Sequence, residues 1–212
     1  MRCSASWTVR RSICEIAAVL LTGCAAVLSL HVFGLHVYLF LPALLVWSLY
    51  FVRLVRQDPL VLEEWGVRLD NLRPALARCL PFFLLGVLGM LCWRVISGWK
   101  PLPLSFFIVL AFYPLYGLVQ QFFMQAILVR NLRRLSVPPG IIVPVVSVLF
   151  GLLHAPDWPL AGLCMVAGAV WTLLFLRTPN IVPLGFSHGW LGALAYYWLL
   201  VRDPLGSLFG GS

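Results

Sequence analysis

The feature that most constrains this chain is a series of about seven apolar runs, each close to the length that crosses a lipid bilayer. The runs are continuous rather than alternating, and short polar stretches separate them. In hydrocarbon every backbone N–H and C=O group needs a partner within the protein, which leaves α-helices or a closed barrel. Continuous runs favour helices, so the sequence predicts an all-α, polytopic membrane helix bundle of about seven transmembrane helices.

Composition agrees with a bilayer environment. Hydrophobic residues make up 62% of the 212 positions and charged residues 10%, a balance that a water-soluble surface does not show. The formal charge of +8 does not indicate nucleic-acid binding, because Lys and Arg flank the apolar runs instead of forming one basic stripe. We therefore expect the lipid bilayer as a partner and no nucleic acid.

Cysteine and histidine spacing gives no sign of a metal or cofactor. The six cysteines are scattered without a CxxC pair, so we predict neither a disulfide framework nor a zinc site, and no cofactor. His31 and His36 are five residues apart with no carboxylate nearby. We interpret both as interfacial residues.

Charge placement predicts the topology. The predicted spans are residues 13–33, 36–55, 75–97, 104–129, 141–155, 158–176 and 181–201, and the polar stretch 57–78 is predicted to be a connector at the cytoplasmic membrane face. With that count every basic cluster falls on one side, which places the N-terminus in the cytoplasm. We divide the chain into residues 1–103, with the N-terminal helices and the connector, and a membrane core, residues 104–212.

A lipobox-like site offers a different interpretation of the first span. Residues 21–24 end in Cys24 and follow a basic start, as at the cleavage point of a bacterial lipoprotein signal. However, Glu15 interrupts the apolar segment, and residues 25–30 continue it beyond the cysteine, where a mature lipoprotein usually turns polar. These features favour a membrane span.

Few polar side chains lie within the predicted spans, where a central charge costs about 2.5–3.5 kcal/mol. The five that are candidates for a site are in the C-terminal half: Gln120, Gln121, Gln125, His154 and His188. Gln121 and Gln125 are four residues apart and would share one face of an α-helix. Two interpretations stay open, because such groups can join helices at about 1 kcal/mol per hydrogen bond or can form a site.

The order of these residues resembles the CPBP family, which includes the CAAX-processing and bacteriocin-processing intramembrane proteases. That family carries an EExxxR motif, then FxxxH, then HxxxN or HxxxD, on successive core helices. Phe150 to His154 fits the second motif in full, and His188 followed by Gly192 fits the first half of the third. The resemblance covers about residues 104–200 and implies a CPBP-like core in the last four spans.

The first motif departs from the family. Gln120 and Gln121 stand where the family has glutamates, and Gln125 stands where it has arginine. The resemblance implies an endopeptidase in which glutamate and histidine activate a water molecule, with His154 and His188 as catalytic residues. The residues that correspond to the motif pocket are Gln120, Gln121, Gln125 and Phe150.

The glutamines determine the expected function. Glutamine cannot accept a proton near neutral pH, and loss of a general base typically costs about 10²–10⁴-fold in rate. We expect a CAAX-protease-like protein with weak or no peptidase activity that keeps a polar pocket for membrane-embedded or lipidated peptides; whether it is an enzyme stays open. The implied location is the plasma membrane of a bacterium.

The sequence has two further acidic candidates for the site and is compatible with two other functions. Asp157 is a possible substitute acid, although Pro156 and Pro159 favour an external turn with Asp157 in water. Residues 63–68 match EExxxR literally, but they lie in the connector and are interpreted as outside the site. A small transporter component, for which no inverted repeat is evident, and a structural membrane subunit are the alternative functions.

Overall fold

The computed structural model describes residues 8–29, 36–99 and 101–205, and for residues 36–40 it describes the backbone alone. His31 lies outside these residues and His36 is among those with backbone only, so their interfacial role stays a prediction. Regular structure in the described residues is entirely helical. The predicted all-α, polytopic bundle is confirmed.

The bundle contains nine α-helices within the described residues. They are α1 (Val9–Leu28), α2 (His36–Gln57), α3 (Val61–Glu64), α4 (Leu72–Ile96), α5 (Leu104–Gln121), α6 (Arg130–Arg134), α7 (Pro139–Leu152), α8 (Trp158–Arg177) and α9 (Ile181–Leu194). The π-helical segment Phe122–Val129 joins α5 to α6 in one continuous helix, Leu104–Arg134. A second π-helical segment, Ala195–Leu199, follows α9.

Four helices in the described part of the chain are long and apolar enough to cross a membrane. They are Val9–Leu28, Leu72–Ile96, Leu104–Arg134 and Trp158–Arg177. Helix α7 is apolar but has 14 residues, and α9 also has 14 before its π-helical extension. At 1.5 Å per residue such helices fall short of a bilayer core of about 30 Å. The figure of seven spans therefore stays a prediction.

Helix α4 has an outer surface suited to lipid. Leu80, Leu84 and Leu88 expose 51%, 54% and 56% of their surface and follow one another at four-residue spacing. In water a stripe of this kind would be an aggregation hazard. In a bilayer it is the expected outer face of a spanning helix.

Helices α5 and α9 pack backbone against backbone. A Cβ atom added to Gly189 would lie 2.3 Å from Pro114 Cα, and one added to Gly117 would lie 2.5 Å from Gly185 O. Gly185 and Gly189 have the four-residue spacing that lets membrane helices approach closely. His188 is between them in sequence, so this contact brings His188 against α5.

The polar connector folds back onto the turn between α8 and α9. The Ile181 N–H donates to Gly66 O at 3.0 Å, and Asn180 Nδ2 donates to Arg68 O at 2.8 Å. Gly66 has a φ of 76°, and a Cβ atom there would lie 3.1 Å from Asn180 N. Only glycine fits this contact without strain. The connector is therefore a packed element, in which Trp65 is 2% exposed.

A buried carboxylate joins α1 to α6. Glu15 is 4% exposed and accepts hydrogen bonds from Arg130 Nη2 at 2.9 Å, Asn131 Nδ2 at 2.7 Å and Arg11 Nε at 3.1 Å. The Tyr50 hydroxyl also donates to it. The charge that interrupts the first apolar run is thus neutralised within the protein, which is what permits it at this depth.

The literal EExxxR segment has a related structural role. Glu64 Oε1 lies 2.6 Å from Arg134 Nη2, and Glu64 Oε2 lies 3.6 Å from Arg130 Nη1. Arg68 pairs with Asp70. Helices α2, α6 and α8 all end near this cluster, and we call this the basic end of the bundle.

Candidate functional site

A cavity of about 420 Å³ lies between α1, α5, the last turn of α7 and the start of α8. Four of the sequence-predicted site residues line it: Gln120, Phe150, His154 and Asp157. Helix α1 supplies the opposite wall through Val19, Thr22, Gly23, Ala26 and Val27. The cavity therefore has one polar side from the core and one mainly apolar side from the N-terminal half.

His154 hydrogen-bonds to the end of its own helix. Its Nδ1 lies 2.8 Å from Phe150 O, one of the carbonyl groups that a helix C-terminus leaves without a backbone partner. A carbonyl oxygen only accepts, so Nδ1 carries the proton and Nε2 keeps its lone pair. The four-residue spacing of FxxxH thus fixes the tautomer of a histidine at the cavity wall.

Gln121 and His188 form a buried pair behind this wall. Gln121 Nε2 lies 3.3 Å from His188 Nδ1, and the two residues are 1% and 6% exposed. An amide nitrogen only donates, so His188 Nδ1 accepts and Nε2 carries the proton. The two histidines therefore have opposite tautomers.

Aromatic rings connect the two histidines. The Phe150 ring centroid lies 5.1 Å from that of His154 and 5.4 Å from that of His188, edge-on in both cases. The Trp171 ring lies 4.6 Å from that of His188, and Trp171 Nε1 donates to Ser187 Oγ at 3.0 Å. His188 is thus held by packing on α8, whereas His154 borders the open space.

Gln125 lies away from the histidines. Its Nε2 donates to Thr172 Oγ1 on α8 at 3.3 Å, and the residue is 1% exposed. The expected common face of Gln121 and Gln125 assumed α-helical winding, but Gln125 lies in the π-helical segment, which is wound more widely. The two amides consequently bind side chains of different helices.

Asp157 borders the cavity with its carboxylate already occupied. One oxygen accepts from Leu160 N at 3.3 Å as the N-cap of α8, and the other pairs with Arg202. The side chain is 23% exposed, so the turn does not place it fully in water. Both carboxylate oxygens of Asp157 are therefore occupied by partners within the protein.

Three tyrosines complete the cavity wall and were not identified from sequence: Tyr113, Tyr116 and Tyr196. Tyr116 lies four residues before Gln120 and lines the same cavity. Tyr113, Tyr116 and Gln120 follow one another at spacings of three and four, which marks one helix face. This spacing is the sequence feature from which Tyr113 and Tyr116 could have been assigned to the same wall as Gln120.

The amide oxygens of the three glutamines have no partner among the described residues. Gln120 Oε1, Gln121 Oε1 and Gln125 Oε1 are all buried acceptors, and an unpaired buried acceptor is destabilising. Of the three residues, Gln120 lines the cavity. Within the described part of the chain, no group of three His, Cys, Asp or Glu side chains could hold a metal ion.

The membrane bundle thus holds two histidines, one beside the cavity and one paired with a side chain of a core helix. Residues 101–194 match the family model described as type II CAAX prenyl endopeptidase Rce1-like. This range contains every sequence-predicted site residue, and the predicted CPBP resemblance is confirmed. Comparisons with curated proteins and with solved structures gave no match.

Proposed function

We propose that this protein binds a membrane-embedded or lipidated peptide in the 420 Å³ cavity and cleaves it weakly or not at all. The observation that carries the proposal is Gln120 at the cavity wall, at a position where the CPBP resemblance implies a glutamate. A neutral amide can form hydrogen bonds with a peptide, but it cannot take a proton from water.

The remaining polar groups support binding over hydrolysis. His154 Nε2 is a free acceptor within the described residues, yet the acid bordering the same space, Asp157, is paired with Arg202. A histidine without a carboxylate to share the developing charge is a weak base catalyst. The hydroxyl and amide groups can satisfy a peptide backbone, while the α1 wall suits an apolar side chain or lipid.

The three glutamines differ from the implied motif in the same way. Amides stand at the positions where the resemblance implies two glutamates and an arginine, so none of the three positions carries a charge. A buried neutral amide avoids the desolvation cost of a buried charge. This pattern fits selection for a retained pocket rather than for the reaction.

The test uses purified protein in lipid nanodiscs and a fluorescent, farnesylated peptide that ends in a CAAX sequence. We expect saturable binding by fluorescence anisotropy and no cleavage product by mass spectrometry. A product that disappears in His154→Ala would overturn the non-catalytic assignment. Absence of saturable binding by correctly folded protein would overturn the pocket assignment.

A restored triad provides the positive control. The variant Gln120→Glu/Gln121→Glu/Gln125→Arg recreates the EExxxR motif that the resemblance implies for an active protease. We expect it to fold and to cleave faster than the wild type. A collapsed fold, measured by thermal unfolding, would count against a retained pocket.

We further propose a bacterial plasma-membrane location with the N-terminus in the cytoplasm. Support comes from the basic end, where Arg130 and Arg134 cluster, together with the positive-inside rule. Reporter fusions after residue 57 and after residue 99 should report opposite sides of the membrane. The same side for both fusions would overturn this orientation.

A further inference from the structure

A second concave surface is present on the bundle, and it shares one lining residue, Phe123, with the cavity of the functional site. It is a groove of about 770 Å³ between α2, the connector, the junction of α5 with its π-helical segment, and the start of α9. Its lining is apolar except for Ser48 and Arg56. It opens on the outside of the bundle, where a spanning protein meets lipid.

The position of the groove is defined by the ends of its helices. Arg56 is in the last turn of α2, and Ile181 and Val182 begin α9. Both helix ends lie at the basic end of the bundle. The groove therefore occupies the leaflet at that end, which the charge pattern predicts to be the cytoplasmic one.

Arg56 provides a cation at the mouth of the groove. Its side chain is exposed, and it forms no ion pair or hydrogen bond with the described residues. A guanidinium group matches the geometry of a phosphate and can donate two hydrogen bonds to it. The groove is apolar along its length and has a guanidinium group at its mouth. This arrangement suits a phospholipid, whose acyl chain would lie in the groove and whose phosphate would lie at the membrane interface.

The shape of the walls argues against a protein helix as the occupant. Helices associate in membranes through small residues that let their backbones approach. This groove is walled by large side chains, among them Trp47, Phe51 and Phe122, whose rings pack on one another. A flexible acyl chain fits between such rings.

We propose that this groove binds an anionic glycerophospholipid of the leaflet at the basic end, with its phosphate on Arg56. Arg53 lies one turn earlier on α2 and is also exposed, so the local charge favours a headgroup of net negative charge over one that carries a quaternary ammonium. The proposal is independent of peptide binding in the cavity.

The test is native mass spectrometry of the full chain after incubation with an equimolar mixture of phosphatidylglycerol and phosphatidylcholine. We expect preferential retention of phosphatidylglycerol, reduced about fivefold by Arg56→Gln. Arg53→Gln is the matched control, because Arg53 does not line the groove, and it should leave retention unchanged.

A second pair of variants tests the apolar part of the site. Val119→Trp fills the groove and should remove retention of both lipids, whereas Leu115→Trp, one turn earlier on the exposed side of α5, should not. Equal retention in the wild type, Arg56→Gln and Val119→Trp would overturn the site. Equal retention of the two lipids by the wild type would overturn its anionic selectivity.

Discussion

Gln121 Nε2 donates to His188 Nδ1 across 3.3 Å, inside the contact between α5 and α9. The direction of this hydrogen bond decides which ring nitrogen of His188 carries the proton. A glutamate at position 121 would accept a hydrogen bond from Nδ1–H, whereas glutamine donates a hydrogen bond to Nδ1. Compared with a carboxylate at position 121, glutamine therefore places the histidine proton on the opposite ring nitrogen.

This relationship predicts a change of tautomer. In Gln121→Glu the carboxylate should accept from His188 Nδ1–H and leave Nε2 unprotonated. Nitrogen-15 chemical shifts of labelled histidine should show the exchange of protonated and unprotonated positions. Gln125→Glu is the control, because Gln125 binds Thr172, and an unchanged His188 signal in Gln121→Glu would contradict the assigned hydrogen bond.

The glycine contact between α5 and α9 predicts a strong dependence on side-chain size. Gly189→Ala places a Cβ atom 2.3 Å from Pro114 Cα, and overpacking of this kind costs about 1–3 kcal/mol. Gly89→Ala on α4 meets nothing within 4 Å and should be neutral or stabilising by up to about 1 kcal/mol. Thermal unfolding in detergent measures both, and equal midpoints would contradict the contact.

The Glu15 cluster predicts that one arginine of α6 is essential and its neighbour is not. Arg130→Gln leaves the buried Glu15 without its main charge partner and should destabilise the protein by about 3–5 kcal/mol. Arg133 is exposed, so Arg133→Gln should stay within about 0.5 kcal/mol of the wild type.

The double variant Glu15→Gln/Arg130→Gln distinguishes two causes of lower stability: the unbalanced charge of Glu15 and the lost packing of the Arg130 side chain. It removes both charges, so part of the stability lost in Arg130→Gln should return. Unfolding of both proteins under the same detergent conditions measures the difference. If the double variant loses as much stability as the single variants Glu15→Gln and Arg130→Gln together, the two side chains act independently.

The α1 wall predicts where peptide binding can be blocked. Val27 lines the cavity, so Val27→Trp should fill it and weaken peptide binding by about tenfold or more. Leu28 is 54% exposed and does not line the cavity, so Leu28→Trp should bind as the wild type does. Anisotropy titrations in nanodiscs distinguish the two, and equal affinities would place the peptide elsewhere.

Some site features could be predicted because they are local. FxxxH places a histidine four residues after a phenylalanine, and near a helix end this spacing allows the observed bond from His154 Nδ1 to Phe150 O. The neutrality of Gln120 and Gln121 is equally visible in sequence. Both conclusions need only helical periodicity and side-chain chemistry.

Other features depend on long-range contacts or on irregular winding. The partner of Gln125 could not be predicted, because the π-helical segment changes the direction of the side chain. Trp171 and Thr172 reach the site through packing between α8 and its neighbours, which leaves no spacing signal. Glu15 did give a signal, since an acid in an apolar run requires a partner, but the sequence does not indicate that Arg130, 115 positions later, provides it.

The backbone contact at Gly185 and Gly189 also limits how the protein can move. No layer of side chains lies between these parts of α5 and α9, so a slide of one helix along the other would drive Leu118 or Pro114 into the opposing main chain. Helices α5 and α9 are therefore expected to move as one rigid unit. Helix α1 has its buried residues Ser12, Glu15 and Val19 toward one end and none from residue 20 to residue 28, so we expect a ligand to enter the cavity on the side of that less buried part.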